Sequence, residues 1–234
     1  MLIVLEGLDG AGKSTQVKLL KEYLISKGVN LRYLHFPRYG SQPYGELIGK
    51  YLRGDFGSID QVHPQIVALL FALDRMDAAS TIKEWLEAGD CVLLDRYVYS
   101  NIAYQCSKIM MQPQFEENRT ALAQELRNWI FDTEYNRYGI PKPDLNLFLN
   151  VPIEFVDSKL KESRNGDDDR DYLNGKADIH EADIRFQISV REIYLQQTES
   201  DPDFVKVCCE DAQGKMLPPD KIFGNIKEQV DKLF

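Results

Sequence analysis

Cysteine is scarce in this chain. Of 234 residues only Cys91, Cys106, Cys208 and Cys209 carry a thiol, none at CxxC spacing and two of them adjacent. That excludes a disulfide-stapled scaffold and a cysteine-built zinc site, and it fits reduced thiols in a cytoplasmic protein. Long apolar runs are missing as well. The longest, at 66–73, is eight residues, against the roughly 20 that a membrane-spanning helix requires. The opening MLIVLEGLDG places no basic segment ahead of an apolar stretch, so it does not read as a secretory signal. Basic charge is in deficit: Lys plus Arg number 28 against 37 Asp plus Glu, a net charge of −9. Broad binding of nucleic acid through its phosphates needs a basic face, so neither a nucleic acid nor a membrane is expected as a partner. A small phosphorylated ligand stays open, because it needs only a local positive pocket.

What is present is an ordinary globular mix, 44% apolar and 28% charged. Short apolar runs alternate with helical patterns. Strands are expected at 2–6, 31–36, 91–94, 145–151 and 204–208. Helical periodicity runs through 13–27, 64–88, 115–138, 178–197 and 220–233, several of these closed by a glycine such as Gly28 or Gly89. The stretch 161–176, KESRNGDDDRDYLNGK, is polar and highly charged, and reads as a mobile lid over about 161–177. Strands alternating with helices predict an α/β fold, a five-stranded parallel sheet with helices on both faces. No linker or repeat divides the chain, so one domain over 1–234 is expected.

The strongest signal is Gly7-Leu8-Asp9-Gly10-Ala11-Gly12-Lys13-Ser14, followed by Thr15. It is an unbroken GxxxxGK[ST] between an expected strand and an expected helix, the context this phosphate loop requires. Its glycines let backbone N–H groups turn towards phosphate oxygens, and the helix N-terminus adds partial positive charge. Lys13 is expected on the β- and γ-phosphates of ATP and Ser14 on Mg²⁺. After the third strand stand Asp95-Arg96-Tyr97. Ligands of open parallel sheets bind beyond the carboxyl ends of strands. Asp95 can therefore act on Mg²⁺, directly or through water, and Arg96 can grip a phosphate; a plain surface ion pair is the alternative. Ser100, Asn101 and Tyr104 share a face if their segment is helical, suited to a sugar and a base edge. Phe71 and Arg75, four apart, can stack a nucleobase and hydrogen-bond its rim, although an aromatic in an apolar helix is ordinarily core. Phe36, Arg38 and Tyr39 can line the same pocket or form a simple strand exit.

Together these segments resemble the thymidylate kinase family. The markers are LEGLDGAGKST, FPRYG, LFALDR, LDRYVYSNIAYQ and PKPDLNLFL, then a charged lid and a helix containing DIHE. The resemblance runs end to end and implies a P-loop NTPase-type three-layer fold. It also implies transfer of the γ-phosphoryl group of ATP to dTMP with Mg²⁺ present, and a homodimer. By resemblance Phe71 stacks on thymine, Arg75 donates to its carbonyl and Asp9 touches the acceptor's sugar or phosphate region. Arg96 and Tyr39 hold the acceptor phosphate with Arg38 beside them, and Tyr104 closes the space of a ribose 2′-hydroxyl. Gly10 stands where some members carry an arginine, so the catalytic arginine is expected from the lid. Arg164 and Arg170 are the candidates there, Arg170 slightly favoured, with Asp167, Asp168 and Asp169 between them. Glu181 is a further metal candidate. His180 beside it reads as a helix-surface residue. The rival readings are a kinase for another nucleoside or nucleotide and a non-catalytic ATP-binding protein. A regulatory GTPase would carry an NKxD-type motif, which the sequence lacks.

Overall fold

The computed structural model describes residues 1–163, 173, 178–181 and 183–234. Its centre is β1 (Leu2–Gly7), an apolar run buried at every position. Parallel partners lie on both sides, β3 (Cys91–Asp95) on one and β4 (Leu145–Asn150) on the other. β2 (Leu31–His35) pairs with β3, and β5 (Phe204–Cys208) with β4. The order is therefore β2-β3-β1-β4-β5, all parallel. Near-continuous apolar runs are what a sheet covered on both faces demands. The first helix, α1 (Lys13–Ser26), packs on one face with the C-terminal helix α8 (Pro219–Val230). On the other lie α3 (Pro64–Glu87), α4 (Val98–Met111) and α7 (Ile184–Ser200), with α5 (Arg119–Phe131) stacked behind α4.

Three departures from the sequence expectation matter for the site. A helix α2 (Tyr44–Leu52) follows β2, its signal hidden by Gly40, Pro43, Gly45 and Gly49. It builds a small second core of Ile48, Tyr51, Leu52 and Val67. The expected helix at 115–138 is broken. A 3₁₀ turn (Pro113–Phe115) precedes α5, and a π-helical turn (Asp132–Arg137) follows it. The expected helix from 178 begins only at Ile184, where the Asp183 carboxylate accepts from the Arg185 N–H at 2.9 Å as an N-cap. Ahead of it, 178–181 form a turn. After β4 comes α6 (Ile153–Ser163), which takes in the first residues of the expected lid; the rest of that stretch lies almost wholly outside the described residues. No helix among the described residues is long and apolar enough to cross a membrane.

Candidate active site

The phosphate loop leaves β1 at Gly7 and enters α1 at Lys13. Gly10 and Gly12 take left-handed φ values of 72° and 78°, open to glycine at no steric cost. A Cβ on Gly10 would stand 3.1 Å from the Lys159 Cβ of α6, so this position also lets two segments pack closely. No side chain caps α1, and its first N–H groups face the loop's hollow as an anion site. The half-buried Lys13 turns its ammonium back to the carbonyls of Leu8 (2.9 Å) and Gly7 (3.3 Å). Loss of hydration and the nearby Arg96 lower it to about 8, against the pull of Asp95, Asp9 and Glu6.

Beside the loop, Arg96 follows the last residue of β3 in a left-handed conformation, φ 67°, which costs a non-glycine residue roughly 1–3 kcal/mol. Its backbone N–H donates to Leu5 O, its Nη1 to Gly7 O at 2.8 Å, and its Nη2 to Asp9 Oδ1 at 2.5 Å. Asp9 Oδ2 accepts from the Tyr104 hydroxyl at 2.6 Å and more weakly from Gln187 Nε2 at 3.3 Å. Burial alone would raise the Asp9 carboxyl, but Arg96, Lys13 and Tyr104 outweigh it and hold it at about 2. Under this set lies Glu6, fully buried in β1. Its Oε1 accepts the N–H groups of Tyr97 (2.8 Å) and Ser100 (3.2 Å), and its Oε2 accepts from the Ser100 and Tyr194 hydroxyls. Burial pushes this carboxyl up, with Ser100 and Arg96 pulling the other way.

Next to Asp9 opens a cleft lined by Phe36, Tyr39, Phe71, Arg75, Arg96, Ser100, Asn101 and Tyr104 among others. Residues from the segments that follow β1, β2 and β3, and from α3 and α4, thus converge at the carboxyl ends of three strands. Arg38 stands apart. Its guanidinium and backbone N–H are engaged by the Asp74 carboxylate and carbonyl at 2.8–2.9 Å, and Nη2 also reaches Asp77 at 2.7 Å. It braces the Phe36–Tyr39 loop against α3 instead of facing the cleft. His180 corrects the expectation of a surface residue. It is 5% exposed, packs its ring beside Tyr104, Tyr51 and Phe186, and lines the cleft from the turn before α7. Burial, then Lys108 close by, keeps it neutral. Ser14 is exposed in the first turn of α1, and Asp95 is buried with Oδ1 lacking any hydrogen-bond partner. Glu181 sits in the 178–181 turn, its N–H on Asp178 O. Among the described residues no three His, Cys, Asp or Glu side chains form a metal cluster. Arg164 and Arg170 lie outside the described residues.

The profile of the thymidylate kinase family matches residues 5–216. The thymidylate kinase of Mycobacterium tuberculosis is 33% identical over 196 residues, 84% of this chain and 85% of that one. The chain belongs to the thymidylate kinase family. A probable thymidylate kinase of Thermococcus kodakarensis is 36% identical over 208 residues, 87% of this chain and 86% of that one. The solved thymidylate kinase of Candida albicans matches with a TM-score of 0.71 at 28% identity, covering 99% of this chain and 91% of that chain. As a thymidylate kinase the protein is an ATP-dependent phosphotransferase. It converts dTMP to dTDP, releasing ADP, on the way to dTTP.

Several residues of this thymidylate kinase site carry no local sequence signal. Glu134, in the π-helical turn, is fully buried and clamps Arg75 through Nε (2.5 Å) and Nη2 (2.7 Å). Gln105 and Asp178 line the cleft. Behind Gln105 the buried Lys108 ammonium is held by Gln105 Oε1 at 2.8 Å and the Tyr51 hydroxyl, and loss of hydration lowers it far below the usual lysine range. A second cavity opens beyond β4 and β5, on the other side of the phosphate loop, lined by Pro152, Phe155, Arg191, Glu210 and Lys215 among others. Only a tertiary arrangement reveals these.

Proposed function

We propose that the cleft at Asp9 holds dTMP and that the phosphate loop, residues Gly7 to Thr15, holds the phosphates of ATP. The observation that carries this is Asp9 itself. It belongs to the phosphate loop and lines the cleft, so donor and acceptor phosphates meet there. Phe71 stacks the base and Arg75 binds its rim. Ser100, Asn101 and Tyr104 flank base and sugar, and Arg96 with Tyr39 takes the acceptor phosphate near the mouth formed by Phe36. The base of ATP lies in the cavity beyond β4 and β5, where Arg191 is oriented by Asn150 Oδ1 at 2.9 Å.

In-line phosphoryl transfer needs positioning and charge rather than a covalent intermediate. The Asp9 carboxylate aims Arg96 and leaves part of its donor fork for phosphate. Tyr104 keeps its proton because burial and Asp9 hold it, so it acts as donor and spacer. Lys13, now on two carbonyls, moves to the incoming phosphates. Arg164 or Arg170 supplies further charge from the lid. Mg²⁺ fits the residues present, since the orphaned Asp95 Oδ1 and the exposed Ser14 are oxygen donors at the loop, with Glu181 a weaker candidate. Bound there, the ion would neutralise phosphate charge during transfer. The protein acts as one cytoplasmic domain and as a homodimer.

An ADP-release assay with dTMP, dUMP, UMP, dCMP, dGMP and thymidine tests the cleft assignment. In wild type, dTMP is turned over best and dUMP more weakly. Replacing Phe71 by Ala raises KM for dTMP at least ~10-fold while leaving KM for ATP within about twofold. An unchanged KM for dTMP in that variant sinks the assignment.

A further inference from the structure

We propose that Glu134 sets the base preference of the cleft by fixing which way round the Asn101 carboxamide points. This rests on the reading of the cleft as the dTMP site. Asn101 Nδ2 donates both to Ala68 O and to Glu134 Oε1, each at 3.0 Å. The opposite orientation would set the amide oxygen against a carbonyl oxygen and a carboxylate oxygen, three acceptors with no proton among them. Only one orientation is therefore satisfied, independent of how oxygen and nitrogen are assigned. It leaves Oδ1 buried without a partner in a residue that lines the cleft.

The same carboxylate takes Nε and Nη2 of Arg75, so the remaining donor edge of that guanidinium is left for a ligand. In the cleft lining the unpartnered acceptor of Asn101 thus stands with the donor edge of Arg75 that Glu134 leaves over. A 4-oxopyrimidine offers the complement, a donor at N3 and an acceptor at C4. A 4-aminopyrimidine offers the reverse at both positions, and each reversed contact sets like against like. Glu134 reaches this point because the π-helical turn at Asp132–Arg137 inserts a residue beyond α5, with Tyr138 N–H bonded to Thr133 O at 2.9 Å. One extra residue rotates the following side chains by roughly 100°, and π turns recur at functional sites. Glu134 touches no part of the substrate. It is a positioning residue acting through Asn101 and Arg75.

The test compares dTMP with 5-methyl-dCMP, which differ only at this edge, in wild type, Glu134→Gln, Asn101→Ala and the double variant. Wild type discriminates strongly for dTMP. Glu134→Gln loses at least ~10-fold of that discrimination, mainly through KM, because either placement of a glutamine amide sets one of its N–H groups against a donor of Arg75 or Asn101 and so loosens the hold on both. In the Asn101→Ala background the same change removes less discrimination than it does alone. Equal slowing of both nucleotides by Glu134→Gln, or an equal loss in both backgrounds, overturns the proposal. An Asn101→Ala variant with wild-type KM for dTMP overturns the cleft assignment and the proposal with it. Should Glu134→Gln fail to fold, wild type decides. N3-methyl-dTMP, which has no N3 proton, must bind at least ~10-fold more weakly than dTMP, and equal binding overturns the proposal.

Discussion

Lys13 shows how much of the chemistry rests on single side chains. Its ammonium has given up hydration for two loop carbonyls and sits beside Arg96, so it releases its proton near pH 8 in the free protein. In the proposed complex the phosphates of ATP would replace those carbonyls with full negative charge and raise the affinity for the proton again. Nucleotide binding should then be linked to proton uptake, and ATP affinity should fall as pH rises through about 8 and above. Calorimetry at pH 8.5 in buffers of different ionisation heat should show uptake that disappears in Lys13→Met. That variant should also lose at least ~100-fold in kcat, the scale set by a preorganised electrostatic group. Turnover near wild type would remove Lys13 from the mechanism. The residue was legible in the sequence because the loop motif is contiguous and its geometry local. Arg38 and His180 were not. The side of Arg38 was decided by Asp74 and Asp77 on a distant helix, and the burial of His180 by Tyr51, Tyr104 and Phe186.

α4 shows how an element is aimed. Its first turn is anchored from the sheet, since Glu6 accepts the N–H groups of Tyr97 and Ser100, 91 and 94 residues away. No residue next to α4 caps it. A remote carboxylate at the positive end of the helix does that work, and it holds Arg96 in its left-handed turn over Gly7 O. Glu6→Ala would leave the buried N–H groups of Tyr97 and Ser100 without this acceptor. Each such loss costs about 1–3 kcal/mol, so urea unfolding should show at least ~2 kcal/mol of destabilisation. Turnover should drop by more than ~10-fold in protein that is still folded, because Arg96 is displaced. Stability within about 0.5 kcal/mol of wild type, the range of an inert surface change, would contradict this role. Glu6 could not be read in advance: within LIVLEG it looks like an ordinary polar interruption of a strand. The π-helical turn was hidden for a related reason. Its residues, DTEYNR, are compatible with a continuing helix, and only the partners of Glu134 reveal the changed pitch.

At the scale of the molecule, the sheet was legible because alternation of strand and helix follows from the apolar pattern, and five parallel strands formed where expected. Strand order was not, since it depends on which edges meet. That order sets β2 and β3 on the side of β1 where the cleft opens and β4 and β5 on the other. Three large apolar side chains in α2, the turn after it and the start of α3 are left exposed. α2 buries Ile48, Tyr51 and Leu52 inward, yet its neighbour Leu47 is 36% exposed, and Phe56 and Ile66 close by in the chain are 48% and 60% exposed. In the proposed homodimer a second copy of this chain covers these exposed apolar side chains. α3, which starts beside this surface, carries Phe71, Asp74 and Arg75, so covering it would also steady the acceptor cleft. Sedimentation of the wild-type protein should give twice the 27.0 kDa chain mass. Leu47→Lys combined with Ile66→Lys should give the single-chain mass with helix content retained. KM for dTMP should rise severalfold in that variant, with a smaller change in KM for ATP, whose proposed base site lies beyond β4 and β5. A wild-type chain that sediments at 27.0 kDa at micromolar concentration would leave this apolar face without its partner and end the dimer proposal.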